Sequence, residues 1–209
     1  MSIDFLITAF FTLFVIIDPI GLTPLFVAMT QGMSARQRRA IGLRACVVAV
    51  GILCAFSFFG EALLGFVGIS MHAFRIAGGI LLFLTALDML FQRRTKRRAD
   101  QAEEAEEEHD HHDPSVFPLA IPLIAGPGSI ATIILLTGQT EGIIGFLSVL
   151  GVMLCVIGIM LLLFLTGGVI ERALGRTGIE VVTRLLGMLL AALSVQFVLD
   201  GLKGFGLAG

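Results

Sequence analysis

The sequence predicts an all-α integral membrane protein with six transmembrane helices. They form two inverted-topology three-helix repeats, in which helices one and four are broken. Three observations support this fold class: an apolar composition, six long apolar stretches, and proline-glycine segments inside two of them. Of the 209 residues, 56% are hydrophobic, and the mean hydropathy is +0.98. Soluble domains contain roughly 45–50% apolar residues, so the composition excludes a soluble protein.

Six apolar stretches are separated by short polar segments. They cover residues 3–29, 41–59, 74–91, 116–137, 143–166 and 182–202. Each stretch is close to or above the ~20 residues that an α-helix needs to cross the hydrocarbon core of a bilayer. We therefore expect a multi-pass protein with six spans and partners that include the lipid bilayer.

Basic residues are concentrated in the first, third and fifth connections between these stretches. Because basic residues are retained on the cytoplasmic side of a membrane, we expect these three connections to be cytoplasmic. Only Arg75 and Lys203 would then lie on the outer side. Both termini would be periplasmic in a bacterial cell.

The two halves of the chain match at a nearly constant separation. The matched pairs include Cys46 with Cys155, Glu61 with Glu171, Arg75 with Arg184, and Gly78 with Gly187. Because each half holds an odd number of spans, the second half must enter the membrane upside down, as in many secondary transporters. We divide the chain into a first three-span repeat (1–91), a charged cytoplasmic loop (92–115) and a second, inverted three-span repeat (116–209). An old duplication without functional symmetry is the alternative.

Two proline-glycine segments interrupt the first and fourth apolar stretches. They are Asp18-Pro19-Ile20-Gly21 and Gly126-Pro127-Gly128-Ser129. At a rise of ~1.5 Å per residue, both fall near the bilayer centre. A broken helix there leaves backbone groups that only protein or a watery cavity can satisfy. Broken helices at corresponding positions of a duplicated chain indicate the binding site of a transporter.

The chemistry at these breaks suits a small zwitterion such as a neutral amino acid. Half-helix N-termini offer N–H groups and partial positive charge to a carboxylate, and Asp18 suits an ammonium group, Na⁺ or H⁺. The predicted substrate-binding residues are Asp18, Pro19, Gly21, Thr23, Gly126, Pro127, Gly128, Ser129 and Thr132. Asp18 and Asp88 are the candidates for ion or proton coupling. Alternatively, Asp18 only caps a helix, and Asp88 only reaches the lipid headgroups.

The loop after the third span changes from a basic run at 93–98 to an acidic run that contains three histidines, His109, His111 and His112. We expect the basic run to lie at anionic lipid headgroups and the acidic run to be a cytoplasmic linker. Histidines among carboxylates could instead hold a divalent metal, but a solvated charge run is more usual. We therefore assign no metal site and expect no cofactor.

Three motifs closely resemble the MarC family of bacterial membrane proteins. They are VIIDPIG at 15–21, FRIAGGIL at 74–81 and PLAIPLIAGPGS at 118–129. The resemblance implies a six-span protein of the bacterial inner membrane, classed with neutral amino acid transporters in the LysE exporter superfamily. It also implies signature positions, which are Asp18, Pro19, Gly21, Pro122, Gly126, Pro127 and Gly128.

The expected function is a secondary transporter for a small neutral amino acid, coupled to H⁺ or Na⁺, that works by alternating access around a midplane site. A homo-oligomer is left open, and no nucleic acid partner is expected. We do not expect an enzyme, since no motif of an intramembrane protease is evident. The alternatives are a membrane thiol-redox electron conduit, in which Cys46 and Cys155 would have to meet, and a non-transporting membrane scaffold.

Overall fold

The computed structural model describes residues 2–93, 97–98 and 113–206, and the regular structure in these ranges is helical. In chain order the helices are α1 (Ile3–Ile17), α2 (Pro19–Met29), α3 (Ala35–Val67), α4 (Met71–Leu90), α5 (Ser115–Ile124), α6 (Pro127–Thr137) and α7 (Gly142–Gly204). The predicted all-α class is thus confirmed for the described part of the chain.

By length and composition, five helical segments of the described residues could cross a membrane. They are Ile3–Met29, Ala35–Val67, Met71–Leu90, Gly142–Gly167 and Thr177–Gly204. The bent pair of α5 and α6 makes a sixth if it counts as one span. All six lie at the predicted apolar stretches. Large apolar side chains such as Phe66 and Ile144 remain 91% and 77% exposed, which suits a surface that faces lipid.

Helix α3 is longer at both ends than the predicted stretch 41–59 because its terminal turns are polar or capped. At its start, Ser34 accepts a hydrogen bond from the N–H of Gln37, whose side chain accepts one from the N–H of Ser34. This reciprocal pair satisfies two N–H groups that the helix leaves free. At its end, Gly68 has a φ of +81°, a left-handed conformation that glycine adopts without strain.

The predicted interruption of the first span is present and is one residue long. Asp18 has left-handed dihedral angles, φ 57° and ψ 62°, between α1 and α2. Its backbone N–H still donates to the carbonyl of Phe14 at 2.9 Å. Pro19 then begins α2 at a position where a missing N–H has no consequence. The first span is therefore interrupted, but its two halves still form one candidate span of 27 residues.

The interruption of the fourth span is larger, and α6 is bent by 56° from α5. We expected a half-helix before Gly126, but α5 is irregular, with extended dihedral angles at Phe117 and Ile121. The peptide bonds that follow these two residues, before Pro118 and Pro122, are cis. Prolines lack the N–H that a regular helix needs, and they disfavour helical angles in the residue before them.

Helix α7 carries both the fifth and the sixth predicted spans. Its backbone is helical from Gly142 to Gly204 except at Gly175, where φ is 61° and ψ is 174°. The polar connection that we expected at 167–181 is thus helical on both sides of one glycine.

Helix α4 packs along the C-terminal part of α7, and glycines bring the two backbones close together. A Cβ atom at Gly79 would lie 2.8 Å from the carbonyl oxygen of Ser194, and one at Gly201 would lie 3.0 Å from that of His72. Small residues at such contacts are the usual way in which transmembrane helices approach each other.

The remaining contacts join the two halves of the chain. Helix α7 packs against α1 and α2, and α3 packs against α5, α6 and α7. Between α2 and α7, the rings of Phe26 and Phe164 stack with their centroids 4.3 Å apart. Because each half contributes to the packing of the other, neither half of the described structure has a separate core.

The first, third and fifth connections lie at one end of the bundle. Arg44 near the start of α3 forms an ion pair with Asp113, which precedes α5. Gln92, which follows α4, donates to Glu180 of α7 at 2.8 Å. The start of α4 packs against the end of α6 at the opposite end, where the second and fourth connections lie. The predicted grouping of the connections agrees with these contacts, and which end faces the cytoplasm stays a prediction.

Candidate functional site

A cavity of about 440 Å³ opens between the ends of α1 and α4, the α5–α6 break and residues 97–98. Its lining residues are Ile16, Leu81, Leu84, Thr85, Asp88, Arg97, Arg98, Pro122, Leu123, Gly126, Pro127, Gly128 and Ser129. The cavity therefore forms at the second of the two breaks, with apolar walls and a few charged or polar groups.

Five of the predicted site residues line this cavity: Asp88, Gly126, Pro127, Gly128 and Ser129. The other five do not: Asp18, Pro19, Gly21, Thr23 and Thr132. The cavity thus brings together Asp88 and four predicted residues of the second break, whereas Thr132 and the predicted residues of the first break do not line it. A binding role for any of these residues stays a prediction.

Asp18 is buried beside the cavity, and both of its carboxylate oxygens are occupied by protein groups. Oδ1 accepts from the N–H of Gly21 at 3.1 Å, and Oδ2 accepts from Nη1 of Arg98 at 2.9 Å. The side chains of the ion pair are 2% and 8% exposed. We expected Asp18 to face the substrate, and the structure instead directs it towards an arginine.

Arg98 differs most from the expectation for the basic run, which was contact with lipid headgroups. The residue is 6% exposed, and its Nη2 also approaches the carbonyl oxygen of Ile17 at 3.4 Å. Burial lowers the pKa of Arg98, and the neighbouring Asp18 carboxylate opposes that shift. A buried cation needs a partner of opposite charge, which here comes from the first break.

Asp88 forms the second ion pair of the cavity. Its Oδ2 lies 2.8 Å from Nη1 of Arg97, and the two side chains are 24% and 60% exposed. Such an exposed pair contributes at most about 1 kcal/mol to stability. Asp88 also lines the cavity, whereas the alternative was that its side chain only reaches the lipid headgroups.

The residues at the start of α6 line the cavity. Gly126 precedes the helix, no side chain caps it, and Pro127 is its first residue. The N–H groups of Gly128 and Ser129 therefore have no acceptor within the helix. They carry the partial positive charge of a helix N-terminus.

Glycine is required at this break by close contacts. A Cβ atom at Gly126 would lie 2.5 Å from the carbonyl oxygen of Pro122, and one at Gly128 would lie 2.8 Å from Cδ1 of Ile16. Any larger residue would therefore have to displace the backbone or the wall of the cavity.

The predicted residues outside the cavity have structural contacts of their own. The hydroxyl of Thr23 donates to the carbonyl of Pro19 at 2.7 Å, as mid-span hydroxyls commonly do. The N–H of Gly21 donates to the side chain of Asp18, which caps α2. Thr132 is fully buried, and its Oγ1 has no hydrogen-bond partner among the described residues.

Sequence reasoning missed Arg97 and Arg98 as parts of the cavity. They belong to a run of basic residues, and such a run after a membrane span indicates headgroup binding in most proteins. The local pattern carries no signal that separates a buried arginine from its exposed neighbours. Two other lining residues could have been found from the sequence. Pro122 belongs to the third family motif, and Thr85 carries a hydroxyl in the middle of a span.

The three cysteines are free thiols, and none lines the cavity. Cys46 is buried in α3, whereas Cys155 is exposed on α7. Among the described residues, no group of His, Cys, Asp and Glu could hold a metal ion. The three histidines of the acidic run lie outside the described residues, as do residues 99–112 of the predicted cytoplasmic loop.

Comparisons with known proteins agree with the motifs. A family model described as "MarC family integral membrane protein" matches residues 3–205. UPF0056 membrane protein YvbG of Bacillus subtilis (strain 168) is 37% identical over 204 residues, which are 98% of this chain and 97% of the relative. UPF0056 membrane protein MJ0972 of Methanocaldococcus jannaschii is 40% identical over 209 residues, which cover 97% and 88%. No solved structure matches.

Proposed function

Because this chain belongs to the MarC family of integral membrane proteins, we propose that it is a secondary transporter of small neutral amino acids or similar small zwitterions. Transport is coupled to H⁺ or Na⁺ and proceeds by alternating access around the cavity. The observation that carries this function is the cavity of about 440 Å³ at the start of the broken helix α6. Broken helices at membrane depth commonly form the substrate sites of secondary transporters.

The lining of the cavity is complementary to a zwitterion. The free N–H groups of Gly128 and Ser129 suit a carboxylate. Asp88 is the carboxylate among the described lining residues, and it suits an ammonium group. Leu81, Leu84 and the other apolar walls leave room for a short apolar side chain.

The cavity has room for a small substrate. Pockets for small molecules commonly measure about 300–1,000 Å³, and this one lies within that range. Gly126 and Gly128 keep it open, since a Cβ atom at either would be within 3 Å of the wall. We take glycine, alanine and serine as the first substrates to test.

Alternating access needs two halves that can exchange positions, and the contact between α4 and α7 supports an inverted repeat. A Cβ atom at Gly79 in α4 would meet Val198 in α7, and one at Gly187 in α7 would meet Met89 in α4. The repeat alignment pairs Gly78 with Gly187. A two-fold axis that relates the two repeats would therefore place the contact of Gly187 with Met89 close to that of Gly79 with Val198. The two repeats would then rock about this contact.

The test is counterflow of labelled alanine or glycine in liposomes that contain the purified protein. We expect exchange above that of protein-free liposomes. We also expect it to disappear in Gly128→Leu, because the new side chain fills the cavity beside Ile16. The matched control is Gly151→Leu on α7, where a Cβ atom would meet nothing within 4 Å. Failure of folded protein to exchange any small amino acid would refute the function.

Coupling is tested in the same liposomes with an imposed H⁺ or Na⁺ gradient. Asp88 is the candidate coupling residue, because its side chain lines the cavity and is partly exposed. We expect one of the two gradients to drive net uptake, and Asp88→Asn to abolish the gradient effect. Gradient-driven uptake that persists in Asp88→Asn would place the coupling site elsewhere.

A thiol-redox conduit would instead depend on cysteine chemistry. We expect a variant in which alanine replaces Cys46, Cys54 and Cys155 to exchange alanine at the wild-type rate, because none of the three lines the cavity. Loss of exchange in a folded triple variant would favour the redox alternative. A non-transporting scaffold differs from both, since substitutions at Asp18 and Pro127 would change its stability but no flux.

A further inference from the structure

The carboxylate of Asp18 is buried and binds two protein groups. Oδ1 is occupied by the N–H of Gly21 and Oδ2 by Arg98. Asp18 is also 1% exposed and does not line the cavity. Asp18 therefore does not reach the cavity itself. Its ion-pair partner Arg98 does, and Asp18 holds that side chain in place.

Arg98 is well placed to bind an anion. It lines the cavity, while Asp18 and the carbonyl of Ile17 engage its two terminal nitrogens on the protein side. A guanidinium carries further N–H donors in a planar fork that matches a carboxylate. Because its position is already fixed by a buried partner, binding a ligand requires little further ordering.

The charged side chains at the cavity form two ion pairs. Arg98 shares its charge with Asp18, which lies outside the cavity, whereas Asp88 and Arg97 both line it. Asp88 is thus the group that can accept from an ammonium. Arg98, with the start of α6, is the group that can donate to a carboxylate.

We propose that Arg98 binds the carboxylate of the transported molecule and that Asp18 acts as its positioning residue. The substrate class is therefore a carboxylate-bearing zwitterion, and an amine without a carboxylate is excluded. This assignment rests on the proposed function, and it reverses the role that the sequence predicts for Asp18.

The test measures the binding of two matched probes, alanine and alaninol, to the purified full-length protein by thermal shift. Alaninol keeps the ammonium group of alanine and replaces the carboxylate with an alcohol. A ligand raises the unfolding temperature by mass action, so the titrations yield an affinity for each probe. The ratio of the two affinities reports on the carboxylate alone.

The main variant replaces both members of the pair, Asp18→Asn with Arg98→Gln. Removing only one member leaves a buried unpaired charge and costs about 3–5 kcal/mol, so the single Arg98→Gln variant is less informative. The double variant removes both charges; Asn keeps the size of Asp, and Gln is shorter than Arg. The matched control is Asp113→Asn with Arg44→Gln, which neutralises an exposed pair outside the cavity.

In the wild-type protein and the control, we expect alanine to bind at least about tenfold more tightly than alaninol, as a charge-assisted hydrogen bond provides. In the Asp18/Arg98 double variant we expect this preference to fall, because only the N–H groups at the start of α6 remain to bind the carboxylate. A purely structural role would weaken both probes equally and leave the ratio unchanged.

The possible outcomes separate the two proposals. An undiminished preference for alanine in the folded double variant would overturn the assignment of Arg98 and leave the transporter function intact. Failure of the folded wild-type protein to bind alanine, glycine or serine would refute the transporter function, and the assignment of Arg98 with it.

Discussion

A single residue, Asp18, holds the first break together. Its left-handed backbone ends α1, its side chain caps α2, and its second carboxylate oxygen binds Arg98. Aspartate tolerates this backbone conformation better than most residues. A carboxylate also accepts several hydrogen bonds at once. The residue that breaks the helix is therefore also the residue that anchors the connection between the repeats.

The cap on α2 depends on glycine three residues later. A Cβ atom at Gly21 would overlap Oδ2 of Asp18, so Gly21→Ala must displace the carboxylate. We expect a loss of about 1–3 kcal/mol in stability, as for other overpacked sites. We also expect a lower unfolding temperature in detergent. Gly51→Ala in α3 is the control, because a Cβ atom there meets nothing within 4 Å. Equal unfolding temperatures for both variants would contradict the close contact between Asp18 and Gly21.

Among the elements, α4 and the C-terminal part of α7 have the most extensive contact. Lipid is as apolar as the helices, so close van der Waals packing has to hold them together. Three glycines, Gly79, Gly187 and Gly201, let the backbones approach along this interface. The same contact is the pivot that alternating access would use.

We expect Gly79→Ala to weaken this interface, because the new Cβ atom would lie 2.8 Å from the backbone oxygen of Ser194, which cannot rotate away. The expected loss is about 1–3 kcal/mol, with a lower rate of alanine counterflow. Gly158→Ala in α7 has open space around its Cβ position and is the matched control. Thermal unfolding and counterflow measure the two effects, and wild-type values for Gly79→Ala would show that α4 and α7 pack less closely.

On the scale of the whole molecule, the connections separate into two groups. Contacts from Arg44 to Asp113 and from Gln92 to Glu180 join the first, third and fifth connections. The basic residues of the sequence concentrate at this same end, which is the end that the positive-inside rule assigns to the cytoplasm. Because the cavity lies at Asp88 and Arg97, near the end of α4, it would lie towards the cytoplasmic side.

This orientation predicts which residues a membrane-impermeant maleimide can reach in cells. In the cysteine-free variant, we expect Gln139→Cys in the fourth connection to be labelled in intact cells whose outer membrane is permeable to the reagent. Gln31→Cys in the first connection should be labelled only after the inner membrane is opened. Both glutamines are exposed in the structure. The reverse pattern would invert the predicted topology.

The sequence by itself determined the spans and the two breaks, because these depend on local properties. Apolar length decides which segments cross a membrane, and Pro19 and Pro127 mark helix starts whatever surrounds them. The irregularity of α5 was only partly visible, since Pro118 and Pro122 indicate a disturbed helix but not its path. Helix ends were missed where capping residues such as Ser34 lie outside the apolar stretch.

Only the tertiary structure decided what the first break does. Asp18 and Arg98 are 80 residues apart in sequence, and no local pattern distinguishes Arg98 from the other basic residues of its run. Their pairing arises because the bundle brings Asp18 at the end of α1 and Arg98 together and buries both side chains. Because both side chains are buried, each charge needs the other as its partner. Of the two residues, Arg98 lines the cavity and Asp18 does not.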